Sequence, residues 1–119
     1  MQIHRTNGQW YWAEYSTFSV SDEGGKYQLM VSGYSGDAGD AMAAGQYAHW
    51  NSNGMMFSTS DSDSDTQPGG SCATYFSAGW WFNWCSTSLL SCEGVGSWAT
   101  GIYTPIFDVQ ASRMLVKGN

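Results

Sequence analysis

At 119 residues the chain is long enough for one hydrophobic core and short for two, so a single domain over residues 1–119 is expected. A net charge of −6, a pI near 4.4 and only four scattered basic residues argue against a nucleic-acid partner. No apolar run reaches the roughly 18 residues that cross a bilayer, so no membrane span is expected.

Met1 is followed at once by polar Gln2, His4 and Arg5, so no secretion signal is expected within these residues, and any such signal would lie outside them. The stretch Gln9 to Val20 is aromatic and β-branched with partial alternation, and predicts a strand. Asp22-Glu23-Gly24-Gly25 predicts a turn, and Tyr27 to Ser32 a second strand that completes a hairpin. Gly33 to Gly36 turns the backbone again. Ala38 to Ala44 is the one short helix expected, with Asp37 as its N-cap and Gly45 as its stop. Asn53-Gly54 predicts a turn before Met55 to Ser58, and residues 60 to 72 a loop. Trp80-Trp81-Phe82 reads as buried core or a short strand. Residues 86 to 101 look irregular, and Ile106 to Val109 and Met114 to Val116 read as closing strands. Aromatics at 16% against charged residues at 12% predict a densely stacked interior under a polar, weakly charged surface.

Asp61-Ser62-Asp63-Ser64-Asp65 sets three of the ten acidic residues at alternate positions. Carboxylates that close repel one another unless a cation lies among them. Oxygen ligands on a loop containing Pro68, Gly69 and Gly70 suit Ca²⁺, which also accepts backbone carbonyls. The EF-hand pattern fails, because Thr66 stands where Gly is needed and Cys72 where a bidentate Glu is needed. The plainer reading is a solvated acidic loop. Three cysteines at 72, 85 and 92 match no zinc spacing. One disulfide plus one spare thiol fits them better, in any of three pairings, and argues for an oxidising, extracellular setting. Catalysis finds no footing. His4 and His49 have no nucleophile near them in sequence. No serine sits in a nucleophile elbow, and neither Gly-Gly pair is followed by the Lys-Ser/Thr of a phosphate loop.

Several motifs in order resemble the second half of a fibrinogen-like C-terminal domain, the module shared by fibrinogen, ficolins, tachylectins and angiopoietins. They are Ala13-Glu14-Tyr15-Ser16-Thr17-Phe18-Ser19-Val20, Tyr27 to Gly36, Ala38-Gly39-Asp40-Ala41, and Asn53-Gly54-Met55-Met56-Phe57-Ser58-Thr59. The Asp-x-Asp-x-Asp run, Cys72-Ala73, Gly79-Trp80-Trp81-Phe82 and Cys85 follow, and Ser112 to Val116 is similar to the family's last strand. The resemblance implies an α+β, mostly β fold with much irregular loop: a central antiparallel sheet plus a calcium-loop subdomain. The family's N-terminal subdomain would be absent, its strands dispensable or supplied by another copy.

The resemblance also implies a Ca²⁺ site from the side chains of Asp63 and Asp65, with backbone oxygens near Gln67 and Gly69, or Gly70 because the loop carries an extra residue. Asp61 would order the loop. Cys72 would pair with Cys85, closing a loop worth about 3 kcal/mol on the chain-entropy model, and the Trp84–Cys85 peptide would be cis. A ligand cup beside the loop would be lined by Tyr75, Phe76, Trp84, Cys85 and Ser86, its aromatic wall packing an acetyl methyl and a sugar's apolar face. The sequence departs from the family after Cys85. Ser86 replaces the usual His, and Thr87 to Cys92 replaces an Asn-rich run. The function implied is a secreted, calcium-binding, lectin-like module for glycans or glycoproteins, N-acetylated sugars included, with a role in innate defence and with avidity from a homo-oligomer. The alternative is a protein-interaction or adhesive matrix module without sugar binding, favoured by Leu89-Leu90 in a polar loop and by the spare Cys92.

Overall fold

The computed structural model describes residues 1–5, 7–43, 51–66, 68–85, 88–91, 97–98 and 109–116. Its centre is a four-stranded antiparallel sheet. Strands β1 (Gln2–Arg5), β2 (Trp10–Val20), β3 (Leu29–Gly36) and β6 (Val109–Arg113) lie in the order β3-β2-β1-β6. The expected hairpin is the longest pairing, running in one register from Ala13↔Gly36 to Val20↔Leu29, and it takes in Gly33 to Gly36, which were expected to be a turn but pair with β2 as part of β3. Its turn is a short 3-10 segment, Glu23–Gly25, capped by the Asp22 carboxylate on the Gly25 amide at 3.0 Å. Gly33 sits at φ +71 opposite Ser16, and a Cβ there would run into the Ser16 side chain, so only glycine suits the position.

β1 is polar and only four residues long, and sequence alone did not mark it. It forms because it has a partner on each side: Gln2↔Trp12 in β2 and Gln2↔Arg113 in β6. The closing strand is Val109–Arg113, between the two segments expected to be strands; Met114 to Val116 continues beyond it outside any strand. Residues 106–108 lie outside the described set. Part of the stretch expected to be irregular is paired, Ser88–Leu89 (β4) with Ser97–Trp98 (β5). Leu89 is buried there, so it is core rather than an exposed adhesive residue.

No helix forms over the described part of 38–44. Asp37 does not cap one. Its carboxylate accepts the Trp12 amide across the sheet at 2.8 Å. The Tyr15 hydroxyl donates to Asp40 at 2.7 Å, and the Ala43 amide bonds the same oxygen at 3.2 Å, holding 40–43 as a turn. Burial, and then the Asp40 carboxylate, push the Tyr15 pKa far above that of an ordinary phenol. The helix observed is α1 (Cys72–Phe76), where the sequence pattern signals no element. Five residues carry no periodicity to detect. Its local signal is Ser71, whose hydroxyl accepts the Thr74 amide at 3.3 Å, with Ser77 closing it in the left-handed conformation.

The core gathers Ile3, Leu29, Val31, Phe82, Leu89 and Trp98, all at most 2% exposed. Trp80 and Trp81 join it, as expected. The interior does not take every aromatic, however. Trp10 and Trp12 are 54% and 45% exposed, because β2 alternates and Ala13 faces inward.

Candidate calcium loop and recognition surface

The acidic loop is built from short-range hydrogen bonds between its own hydroxyls, carboxylates and amides. The Thr59 hydroxyl donates to Asp61 Oδ1 at 2.6 Å, and holds that carboxyl below its usual pKa. The Ser64 amide donates to Ser58 Oγ at 2.9 Å, and the Asp65 amide to Asp63 Oδ1 at 3.2 Å. Asp65 Oδ2 accepts the Cys72 amide at 2.8 Å, so the loop is fastened to the first turn of α1. Thr66 is braced by Asn83: its hydroxyl donates to Asn83 Oδ1 at 2.7 Å and its amide to the Asn83 carbonyl at 3.2 Å. Asn83 is buried, and its side-chain NH₂ reaches the Asn51 carbonyl at 3.1 Å. Sequence reasoning passed over Ser58, Thr66 and Asn83. Their spacing in the sequence carries no signal of these bonds.

Among the described residues no cluster of three or more His, Cys, Asp or Glu could hold a metal by side chains alone. The donors that the loop does present are all oxygen. Asp63 and Asp65 share one loop, and Ser64 Oγ between them in sequence is buried with no hydrogen-bond partner. An orphaned buried hydroxyl is costly. A hard, oxygen-seeking cation fits this set if backbone carbonyls and water complete it. Gly69, exposed at φ +75, leaves the backbone open at that point of the loop. Gln67, the other expected carbonyl donor, lies outside the described residues.

A disulfide joins Cys72 to Cys85, with their Cα atoms 5.3 Å apart. It ties the start of α1 to the segment carrying Trp84. The Trp84–Cys85 peptide is trans, not cis. The backbone turns here by a left-handed Cys85 instead, at φ +43, with the Asn83 amide bonding the Cys85 carbonyl at 2.9 Å. Tyr75, on α1, is 80% exposed and stands edge-on against Phe76, with ring centroids 4.8 Å apart. Phe76 in turn stacks on buried Phe82 at 6.1 Å and 14°. Trp84 is 46% exposed and Cys85 half-buried. Tyr75, Phe76, Trp84 and Cys85 therefore lie on two segments pinned at one disulfide. Ser86 and the spare Cys92 lie outside the described residues. The two grooves along the sheet edges include none of these residues.

Comparison with known proteins places this arrangement. The family profile of fibrinogen beta and gamma chains, C-terminal globular domain, matches residues 1–104. Human fibroleukin (Homo sapiens) is 41% identical over 71% of the chain, and a techylectin-like protein of the spider Phoneutria nigriventer is 41% identical over 76%. The matched part spans 19% and 38% of those two proteins. The fibrinogen-like globe domain of human ANGPTL2 superposes with a TM-score of 0.65 at 36% identity, covering 75% of this chain and 38% of that one. A lamprey fibrin D-dimer, solved with the peptide Gly-His-Arg-Pro-amide, superposes at 0.69 and 31% identity, covering 75% and 30%. The fold is that of the fibrinogen-like globe: mostly β, one antiparallel sheet, little helix and irregular loops. The protein belongs to the family of C-terminal globular domains found in the fibrinogen beta and gamma chains.

Proposed function

We propose that residues 1–119 form one fibrinogen-like unit, a secreted recognition module that binds Ca²⁺ in the 61–70 loop. It takes glycans, N-acetylated sugars included, on the adjoining aromatic surface, and it is not an enzyme. The observation that carries this reading is Tyr75. A tyrosine 80% exposed yet braced edge-on by Phe76 offers a fixed apolar face and a hydroxyl to a ligand. The disulfide, and the Asp65 carboxylate on the Cys72 amide, fix the helix that carries it. Preorganisation of this kind lowers the cost of binding. The name of the Phoneutria nigriventer relative, techylectin-like, supports sugar as the ligand.

Two results are expected. If Asp63 and Asp65 hold the cation, excess chelator lowers the melting temperature, because a ligand of the folded state stabilises it by mass action. At about 100 times its Kd, the ion contributes roughly 2.7 kcal/mol. Asp65→Ala should cost more than Asp63→Ala, since the Cys72 amide it orphans is partly buried, whereas the Asp65 amide freed by Asp63→Ala is exposed to water. A calcium-independent melting curve, with metal removal verified, would remove the cation from the account. Tyr75→Ala should abolish binding of an N-acetylglucosamine conjugate while the melting temperature stays put, because the lost side chain is mostly in solvent. Undiminished binding in that variant would move the ligand elsewhere.

A second reading, recognition of a peptide, is favoured by the lamprey fibrin, which carries a peptide ligand. Leu89 lends it no support, being buried. Competition between the sugar conjugate and a short peptide for the Tyr75 surface separates the two readings.

A further inference from the structure

The outward face of the β1–β2 pair holds two tryptophans that the core does not use. Register and alternation place Trp10 and Trp12 on that face beside His4 and Gln2, their direct partners across the strands. The Arg5 amide bonds the Gln9 carbonyl, and the Ala13 amide the Met1 carbonyl, so His4↔Trp10 and Gln2↔Trp12 are the non-hydrogen-bonded pairs. Side chains at such pairs draw closest. His4 accordingly stacks on Trp10, with ring centroids 4.8 Å apart and 27° between the planes. Trp12 is braced differently. Its indole lies against Gly36, where an added Cβ would come within 3.1 Å of the ring. Each ring is held on one side and is about half in solvent, 54% for Trp10 and 45% for Trp12.

The strands that carry these rings need no ligand to order them. The Asn7 side-chain amide donates to the Tyr11 hydroxyl at 3.0 Å, and that hydroxyl donates to Gln9 Oε1 at 3.1 Å. On the face opposite the tryptophans the Arg5 guanidinium lies over the Tyr11 ring at 5.3 Å and reaches the Trp98 carbonyl at 2.9 Å. An aromatic pair ordered in this way loses little freedom on binding. Alternate residues of a strand stand about 6.6 Å apart, so the two indoles lie side by side. Their neighbours on this face are Gln2, Glu14, Ala111 and Arg113. Among the described residues, hydrogen-bonding groups rather than large aliphatic side chains flank the rings.

The exposed halves of two indoles amount to about 250 Å². Each side of a stable protein interface buries roughly 800 Å², so the patch is small for a protein partner. A stacked nucleobase would bring phosphates to a chain of net charge −6, with Glu14 beside Trp12 and the Asp37 carboxylate on the Trp12 amide. The same charges oppose an acidic polysaccharide. A compact small molecule needs a concave site, and neither groove along the sheet edges takes in either ring. An uncharged pyranose chain meets every condition. The face of an indole is the negative part of its quadrupole and draws the weakly positive C–H bonds of a sugar ring. Hydrogen-bonding side chains such as Gln2, Glu14 and Arg113 suit the hydroxyls at the rim of that ring. We infer that Trp10 and Trp12 form a platform for an extended, uncharged oligosaccharide, one sugar unit to each indole. The inference rests neither on calcium nor on the Tyr75 surface.

Calorimetric titration of the 119-residue protein with cellohexaose, a linear glucose oligomer without charge or acetyl groups, tests it. The titration is run in excess chelator, so that the calcium loop takes no part. We expect saturable binding and a change in tryptophan fluorescence. Glucose itself, which covers one ring, should bind about tenfold more weakly or worse. Trp10→Ala and Trp12→Ala should each weaken cellohexaose binding by about tenfold or more, and Trp10→Phe, which keeps an aromatic face, by less. Met30→Lys, 60% exposed on β3 away from these rings, should change nothing. Circular dichroism verifies folding. The two indoles have different braces, so either alanine variant decides the matter if the other fails to fold. Absence of binding overturns the inference. So does binding undiminished in the folded alanine variants, or lost equally in Met30→Lys. Saturation by a proline-rich peptide but not by cellohexaose, lost in the same variants, overturns the sugar as occupant and the inference with it.

Discussion

Phe82→Ala is expected to destabilise the protein by about 3–5 kcal/mol, the range for emptying a fully buried phenylalanine site. Phe82 is 0% exposed and lies where Phe76 stacks on it, at 6.1 Å. The loss has a transfer part and a cavity part. Phe82 shares its core cluster with fully buried Trp98 and with Cys72, which the disulfide ties to Cys85. A loss of this size lowers the melting temperature by roughly 10 °C or more in a protein of this length. The recognition surface should suffer as well. Phe76 braces Tyr75, and without Phe82 beneath it Phe76 loses its support. Phe82→Leu, which keeps most of the volume, should cost less than half as much. Chemical denaturation of the three proteins decides the matter. A change under about 1 kcal/mol in Phe82→Ala, far below the usual cost of such a site, would show that the ring is not the anchor of the helix and the loop.

Removing the Cys72–Cys85 bridge is the second large effect. A closed loop of this length contributes about 3 kcal/mol through the unfolded state. The bridge also has a local task. The amide of Cys72 donates to Asp65, and Cys85 holds a left-handed turn that any side chain adopts reluctantly. Cys85→Ala should therefore lower stability by about 3 kcal/mol and loosen the loop that presents Asp63 and Asp65. Reduction by thiols should do the same, and calcium should protect against it if the cation orders the loop. Stability indifferent to reductant would mean that α1 and the loop stand without the bridge.

Local chemistry made the β2–β3 hairpin legible: aromatic and β-branched residues with partial alternation over Gln9 to Val20, and an Asp-Glu-Gly-Gly turn after them. Trp80, Trp81 and Phe82 were legible as core, whereas the equally aromatic Trp10-Tyr11-Trp12 leaves both tryptophans exposed, because it lies on a strand whose alternation turns Ala13 inward. What failed was set by distant partners. Asp37 looks like a helix cap, but in the fold its carboxylate serves the Trp12 amide from β2. β1, β4 and β5 are too short to carry a period and exist through their pairings. β6 settles on Val109–Arg113, although the flanking residues are more aliphatic, because Gln2 to Arg5 selects its register. The Met114–Val116 segment, expected to be a strand, lies outside any strand, with Met114 half-buried against the core and Leu115 and Val116 exposed. In the site, the acidic run, Tyr75 and the cysteines could be picked out from sequence. The bracing by Thr66, Asn83 and Ser58 could not, since nothing in their spacing announces the hydrogen bonds they make.

A single sugar on so open a surface should bind weakly, with a Kd on the order of millimolar, about −4 kcal/mol. Useful avidity then requires several copies in one assembly. The most direct test of the recognition account is therefore a glycan array probed with a multivalent form of the protein, in calcium and in chelator. The account predicts retention of N-acetylated sugars in calcium, loss of retention in chelator, and no retention by the Tyr75→Ala form. Absence of any calcium-dependent glycan signal from a folded, metal-loaded, multivalent sample would contradict it.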